Sequence, residues 1–366
     1  MSKLTNLTEP AYRRISMDIR DRIISGDLEV GAKLSTTLEL CKQWNVKAPT
    51  IHAALTPLVK EGLLERRPRH GTFVRKRTDA LCTVGLYSAG DALREASPYN
   101  QTLFRVLEEE LQRRGLNYEL FVDSRIGKQL LQPSPALLKA AEQRLIQGVI
   151  GVHMDRNSLT WLRRLPLPAS FHVSGNESGV VNFDRTQFAQ LALNSLSEQG
   201  CRSVGLIAPL NAEPKDRSSK SPSVKDFLAT FSDLARDYGI EIRDEWMVTR
   251  QVAGGRQAQC GYNATHAIWR LNKRPDALVA YPDTVATGVV LAMTELNIKT
   301  PTDLRVAFHR NKGTPGICPF PATFIESDES EVARALLNQV ELQRDGSPNP
   351  RIKIPHQLIP ENAFKE

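Results

Sequence analysis

The chain has 366 residues, 41% hydrophobic and 24% charged, with a formal net charge of +7. This length exceeds one average core and suits two or three folding units. No apolar run approaches the roughly 18 residues of a membrane span, and Met1 to Pro10 lack the apolar run of a secretory signal, so a cytoplasmic protein is expected. The five cysteines, Cys41, Cys82, Cys201, Cys260 and Cys318, are widely spaced and form no CxxC pair. They read as reduced thiols, and no disulfide framework, metal site or cofactor is expected.

The excess charge sits at one end. Residues 1–80 hold 15 Lys or Arg against 9 Asp or Glu, and the stretch Lys60 to Arg77 carries seven basic residues against Glu61 and Glu65. Such asymmetry is expected when one segment must neutralise phosphates; a solvated basic surface is the plainer alternative.

Taken in chain order, Tyr12, Ile15, Ile19 and Ile23 predict a helix over Ala11 to Ser25. Thr36 and Glu39 form a capping-box pattern that starts a second helix through Leu40, Cys41 and Trp44. Pro49 suits the first turn of a third helix, whose buried side is Ile51, Ala54, Leu55, Leu58 and Val59 and which ends by Gly62. Pro57 inside it should bend its second half. Leu63-Leu64, a basic stretch and Gly71-Thr72-Phe73-Val74 predict a hairpin with its tip at Arg69, His70 and Gly71. Three short helices and a basic hairpin make a winged helix-turn-helix, whose third helix enters the major groove.

The run Tyr12, Ile15, Ile19, Ile23, Gly26, Gly31, Lys33-Leu34, Leu40, Val46, Thr50-Ile51, Ala54-Leu55, Leu58, Glu61-Gly62-Leu63-Leu64 and Gly71 to Val74 resembles the GntR family of regulators. The resemblance implies a DNA contact set of Thr36, Lys47, Pro49, Thr50, His52, Arg66, Arg67, Arg69, His70 and Gly71. It also exposes departures: three arginines usual in that family fall on Leu38, Ala48 and His52. Bidentate guanine and phosphate donors are lost there. Two readings follow, an operator read by Lys47, Thr50, His52 and the hairpin, or a domain with reduced DNA affinity.

After a polar linker at 76–81 the pattern changes, giving expected domains 1–75 and 82–366. Short apolar runs alternate with amphipathic helices, which predicts α/β architecture with parallel sheets flanked by helices. Expected strands are 83–87, 118–122, 148–153, 169–173, 179–183, 203–208, 277–281 and 304–308. Expected helices are 102–114, 136–147, 185–199, 225–238, 261–271, 284–296 and 329–343. Val84-Gly85-Leu86, Leu107 to Gly115, Gln147 to Gly151, Leu196 to Ile207, Arg274 to Ala277, Asp283, Thr287-Gly288, and the tail at 333–337 and 355–361 resemble the sensor of LacI-type repressors, which is built like the two-lobed type I periplasmic binding proteins.

In such sheets ligands lie beyond the carboxyl ends of strands. That rule selects Tyr87, Ser88, Asp91, His153, Asp155, Asp184, Asn211, Asp283, His309, Arg310 and Asn311 as effector-binding candidates. Asp184 and Asp283 are equally readable as helix N-caps, and the two histidines as core groups. The LacI-type pattern has Asn-Asp where this chain has Pro282-Asp283, an Asp-rich turn where it has His309 to Asn311, and an arginine at Gln190. The expected function is a ligand-responsive transcription regulator of the repressor type, homodimeric through 284–296, with an operator and a sugar or sugar derivative as partners. No GxSxG, HExxH, P-loop or GxGxxG sequence points to an enzyme. A sensor acting through a protein partner stays open.

Overall fold

A computed structural model describes residues 10–25, 27–29, 31–60, 63–68, 70–74, 81–89, 98–125, 127–154, 156–173, 177–211, 222–250, 257–314, 316–344 and 349–359. The expected linker, apart from Leu81, lies outside these residues. The chain divides into two compact units, Met1–Gly90 with Leu111–Ala169, and Asp91–Glu110 with Ser170–Glu366.

The first unit opens with helices α1 (Ala11–Ser25), α2 (Thr37–Trp44) and α3 (Ala48–Lys60), then the antiparallel hairpin β1 (Leu64–Arg67) and β2 (Gly71–Val74). Helix α2 starts where the sequence places it, because the Thr36 hydroxyl accepts from Glu39 N–H (3.3 Å) and Glu39 accepts from Thr36 N–H (2.7 Å). Asn45, with φ 51°, closes it in the left-handed conformation. Ile15, Ile19, Leu40, Ile51, Ala54, Leu55, Leu58 and Leu64 share one core, so the helical spacing of apolar residues sets three helices around one centre. Helix α3 continues through Pro57 as a single element, and the Thr56 hydroxyl donates to the His52 carbonyl (2.6 Å).

Next come β3 (Thr83–Ala89), α4 (Pro98–Arg113), β4 (Asn117–Asp123), α5 (Pro135–Glu142), β5 (Gly148–Val152), α6 (Arg156–Leu162), β6 (Ala169–His172) and β7 (Val181–Phe183). Strand β3 runs parallel to β4 and β5 in a sheet of order β4-β3-β5-β6. Helix α5 ends at Glu142, short of the expected 147. Arg144 turns left-handed (φ 52°), and Gln147 is drawn to the sheet, its Oε1 accepting from Thr83 N–H (2.9 Å) and Cys82 N–H (3.2 Å).

The remaining elements are α7 (Arg185–Glu198), β8 (Val204–Asn211), α8 (Pro222–Asp237), β9 (Met247–Arg250), α9 (Gln257–Trp269), β10 (Ala277–Ala280), α10 (Asp283–Glu295), β11 (Arg305–Asn311), β12 (Thr323–Ser327), α11 (Glu329–Arg344), β13 (Ile352–Ile354) and β14 (Gln357–Ile359). They build a six-stranded sheet of order β14-β12-β11-β10-β8-β9, with β14 antiparallel at the edge, and the parallel pair β13-β7. Alternate residues of each central strand feed opposite faces. Val204, Leu206, Ala277, Val279 and Ala307 pack with α7 and α8, whereas Ile207, Leu278, Ala280, Val306 and Phe308 pack with α9 and α10. Burial on both faces explains the continuous apolar runs of β8, β10 and β11. Helix α6 and strands β9, β12, β13 and β14 are absent from the sequence reading.

Candidate nucleic-acid interface and effector site

The exposed side of α3 and its approach carries Lys47, Ala48, Pro49, His52, Ala53 and Thr56, with Thr50 half-buried. Thr36 is exposed at the start of α2, and its hydroxyl still has a proton to donate outward. On the hairpin Arg66, Arg67, His70 and Gly71 are exposed; Arg69 lies outside the described residues. The Arg66 guanidinium reaches the Thr56 hydroxyl (3.5 Å), and Arg67 stacks over Phe73 at 4.8 Å while pairing with Glu65 (3.4 Å). Gly71 is fixed by geometry. Its φ is 112°, and a β-carbon there would meet Lys33 Cε at 2.8 Å. Leu38 is 68% exposed on α2, an apolar side chain facing water where the family pattern has arginine.

In the first unit Tyr87 is fully buried and turns inward. Its hydroxyl donates to Asp123 Oδ2 (2.8 Å) and lies 3.2 Å from the Ser158 hydroxyl, and its ring meets Trp161 edge-on at 5.3 Å. Burial raises the Tyr87 hydroxyl pKa. Burial also opposes ionisation of Asp123, but hydrogen bonds from Arg125 (2.6 and 2.8 Å) and Tyr87 outweigh it and hold the carboxyl below its usual range. Ser88 is 1% exposed, and its hydroxyl has no hydrogen-bond partner among the described residues. His153 follows β5 at φ 46°, its carbonyl accepting from Ala89 N–H (3.1 Å). Asp91 and Asp155 lie outside the described residues.

In the second unit Asp184 caps α7, accepting from Thr186 N–H (3.1 Å) and Gln187 N–H (3.3 Å), with Lys353 at 3.3 Å. Asn211 ends β8, its side chain outside the described set. His309 is 3% exposed. Its Nδ1 accepts from Asp283 N–H (3.1 Å), which leaves Nε2 to carry the proton toward Ser327 Oγ (2.7 Å). Rings of Phe183, Phe188, Tyr281, His309 and His356 form one contact chain at 4.6–5.8 Å, which Tyr99 and His172 join at 5.7–6.2 Å. Burial pushes His172 and His356 down to about 4, and His309 well below its ordinary value. Arg310 pairs with Glu326 (2.6 Å).

Asp283, Asn311 and Glu329 stand at the carboxyl ends of β10, β11 and β12, three neighbouring parallel strands. Asn311 is 2% and Glu329 1% exposed. Burial pushes the Asp283 carboxyl up, against the opposing influence of the Thr284 N–H and the neighbouring Asn311 amide. Glu329 Oε2 accepts from Gly313 N–H (3.3 Å). Burial first, then Asp328 and Asp283, push its carboxyl up as well. The sequence reading missed Glu329, taking it only as the start of a helix; Asp328-Glu329 beside the Ser327 strand end was the available sign. A cavity of about 290 Å³ borders this region, with Asp283, Thr284, Thr287, Thr314 and Ile317 among its walls.

Residues 11–74 match the family described as bacterial regulatory proteins, gntR family, and residues 193–362 match the periplasmic binding protein-like domain. The HTH-type transcriptional repressor PurR of Actinobacillus pleuropneumoniae serotype 3 is 26% identical over 148 residues, 40% of each chain. That of Serratia proteamaculans is 31% identical over 121 residues, 33% of this chain and 32% of that one. The chain thus spans 40% or less of these curated relatives. The arabinose metabolism transcriptional repressor of Halalkalibacterium halodurans is 21% identical over 310 residues, 81% of this chain and 80% of the relative. A LacI family transcription regulator from Clostridium acetobutylicum superposes with TM-score 0.60 at 20% identity, over 77% of this chain and all of that one. The chain therefore joins a segment that matches the gntR family model to one that matches the periplasmic binding protein-like domain, on the α/β fold seen in LacI-family regulators.

Proposed function

We propose that this chain is a ligand-responsive DNA-binding transcription regulator of the repressor type. The observation that carries the reading is the union, in one chain, of a three-helix unit with a basic exposed hairpin and a sensor-type α/β fold. Thr36, Lys47, Pro49, Thr50, His52, Arg66, Arg67, Arg69, His70 and Gly71 contact the operator, the hairpin cations through phosphates. Proposed effector contacts are Asp91, Asp184, Asn211, Asp283 and Asn311 in the second unit, and Ser88, His153 and Asp155 in the first; the Tyr87 hydroxyl is taken by Asp123, and the His309 ring nitrogens by Asp283 N–H and Ser327. The effector is a small molecule of the sugar class. The regulator acts in the cytoplasm and performs no catalysis.

A homodimer supports two half-sites. Helix α10 offers one contact surface: Leu291 is 60% exposed on it, and Ile317 on the neighbouring loop is 89% exposed. Light scattering of the purified chain checks this, with a concentration-independent monomer as the contrary result.

Binding to selected genomic DNA fragments, followed by fluorescence anisotropy across a salt series, tests the reading. The expected result is affinity that falls steeply with salt. Selection of no fragment overturns it. The exposed Leu38, Ala48 and His52 favour one second reading, a sensor with weakened DNA affinity that works through a protein partner.

A further inference from the structure

Three acceptor-bearing side chains meet at adjacent strand ends in the second unit without a cation to match them. Parallel strands β10, β11 and β12 lie side by side, and the third residue beyond β10 (Asp283), the last of β11 (Asn311) and the second beyond β12 (Glu329) therefore come together. Open α/β sheets place ligands at this end of the strands. Among the described residues no Lys or Arg lies within 4.0 Å of the Asp283 or Glu329 carboxylates, whereas the neighbouring Arg310 and Lys312 are spent on Glu326 and Asp328. Glu329 Oε1 and Asn311 Oδ1 are buried with no hydrogen-bond partner among the described residues.

Buried polar atoms are normally satisfied, and a buried carboxylate normally has a counter-charge. The N-termini of α10 and α11, on which Asp283 and Glu329 sit, offset part of the negative charge. They do not reach the orphaned oxygens. What those oxygens lack is a donor, and two carboxylates with one amide oxygen complement a cation carrying several N–H groups. Tyr99, whose hydroxyl feels the charge of both carboxylates, adds aromatic surface, which suits an ammonium group. An anionic ligand would meet repulsion from both acids.

We propose that Asp283, Asn311 and Glu329 form a subsite for the protonated amine of the effector, so that the ligand class is an amino sugar or similar hydroxylated amine and not a neutral or acidic sugar. The inference rests on the sensor reading above and narrows it. The ammonium donates to Glu329 Oε1, to Asn311 Oδ1 and to the Asp283 carboxylate, completing the buried groups that the chain alone leaves open. Glu329 is held for this by Gly313, whose N–H fixes Oε2 and whose missing side chain admits Thr102, since a β-carbon there would stand 2.4 Å from Thr102 Cγ2.

The test is thermal-shift and calorimetric titration of the full chain with matched probes: glucosamine and galactosamine, glucose and galactose, N-acetylglucosamine, glucuronate, and magnesium or calcium chloride alone. The amines are expected to raise Tm by about 2 °C or more, with their neutral and N-acetylated counterparts bound about tenfold more weakly. Glu329→Gln keeps an acceptor for Gly313 and removes the buried charge. It is expected to weaken amine binding about tenfold while leaving the ligand-free Tm unchanged or higher, a combination that simple misfolding does not produce. Stabilisation by neutral or acidic sugars and not by amines overturns the amine assignment and leaves the sensor reading standing. Stabilisation by the metal salts alone, lost in Glu329→Gln, overturns it in favour of a cation site. If no probe stabilises the chain the amine assignment fails. The sensor reading then fails too unless a low-molecular-weight cell extract alters DNA binding.

Discussion

A β-carbon on Gly288 would stand 1.8 Å from the carbonyl oxygen of Ala258, so α10 and α9 approach backbone to backbone. Gly261 repeats the contact from the other helix, 2.2 Å from the Val285 carbonyl oxygen. Because the obstacle is main chain and not a flexible side chain, Gly288→Ala must push the helices apart. A loss of about 3 kcal/mol is expected, at the upper end for overpacking, read from denaturant unfolding of the full chain. Gly316→Ala, whose β-carbon would only touch Thr287 Oγ1 at 3.8 Å, stays within about 0.5 kcal/mol.

The buried Asp123 carboxylate depends on Arg125 more than on Tyr87. Asp123 is 4% exposed and Arg125 27% in their side chains, and Arg125 supplies the paired Nε and Nη2 bonds. Arg125→Ala leaves a buried charge uncompensated and is expected to cost about 3 kcal/mol, the low end for breaking a buried pair since water reaches the site. Tyr87→Phe removes one hydrogen bond to a charged group, about 1.5 kcal/mol. Equal losses in unfolding titrations would contradict this order.

Stability should fall with acid. Histidines of the unfolded chain titrate near 6.5, while burial brings His172 and His356 down to about 4 in the fold and holds His309 well below its ordinary value. The folded state therefore binds fewer protons between those values. The histidines' contribution is full above about pH 6.5 and is lost as pH falls toward about 4 and below, at up to roughly 1.4 kcal/mol per pH unit for each. Asp283 and Glu329 act in the opposite sense. Their raised values give a contribution present below the ordinary carboxylate range and lost as pH rises through the folded values. Denaturant midpoints from pH 7.5 to 4.5 measure the sum, and His356→Asn should flatten the slope.

If the hairpin meets phosphates, Arg66→Ala and Arg67→Ala each reduce the slope of log affinity against log salt by about 0.9 and weaken all sequences alike. His52→Ala, on the exposed side of α3, should instead change the preference among operator variants. An unchanged salt slope in both arginine variants would remove the hairpin from the interface.

The first 74 residues were readable because their signals are local. Thr36 and Glu39 cap α2 across three residues, Ile51, Ala54, Leu55 and Leu58 mark one side of α3, and Gly71 marks a turn that only glycine relieves. Strands β8, β10 and β11 were readable as apolar runs because both faces are covered. Strand β12, Thr-Phe-Ile-Glu-Ser, mixes its pattern, and β13 spans three residues that become a strand only by pairing with Val181–Phe183, some 170 positions earlier. Tyr87 shows the same limit. Its place near a strand end selected it as a ligand group, but β3 continues to Ala89 and the hydroxyl turns to Asp123.

The sequence by itself determined the winged helix, the basic hairpin, the alternation of strands and helices, and the candidate acids after β7 and β10, since each depends on spacing within a single element. The tertiary structure alone decided which of those polar groups are spent. It ties His309 between Asp283 and Ser327, buries His356 among rings, and brings Glu329 beside Asp283 and Asn311. The order β12-β11-β10 sets those strand ends side by side, and that adjacency comes from crossover connections, a long-range property that no local pattern of residues encodes.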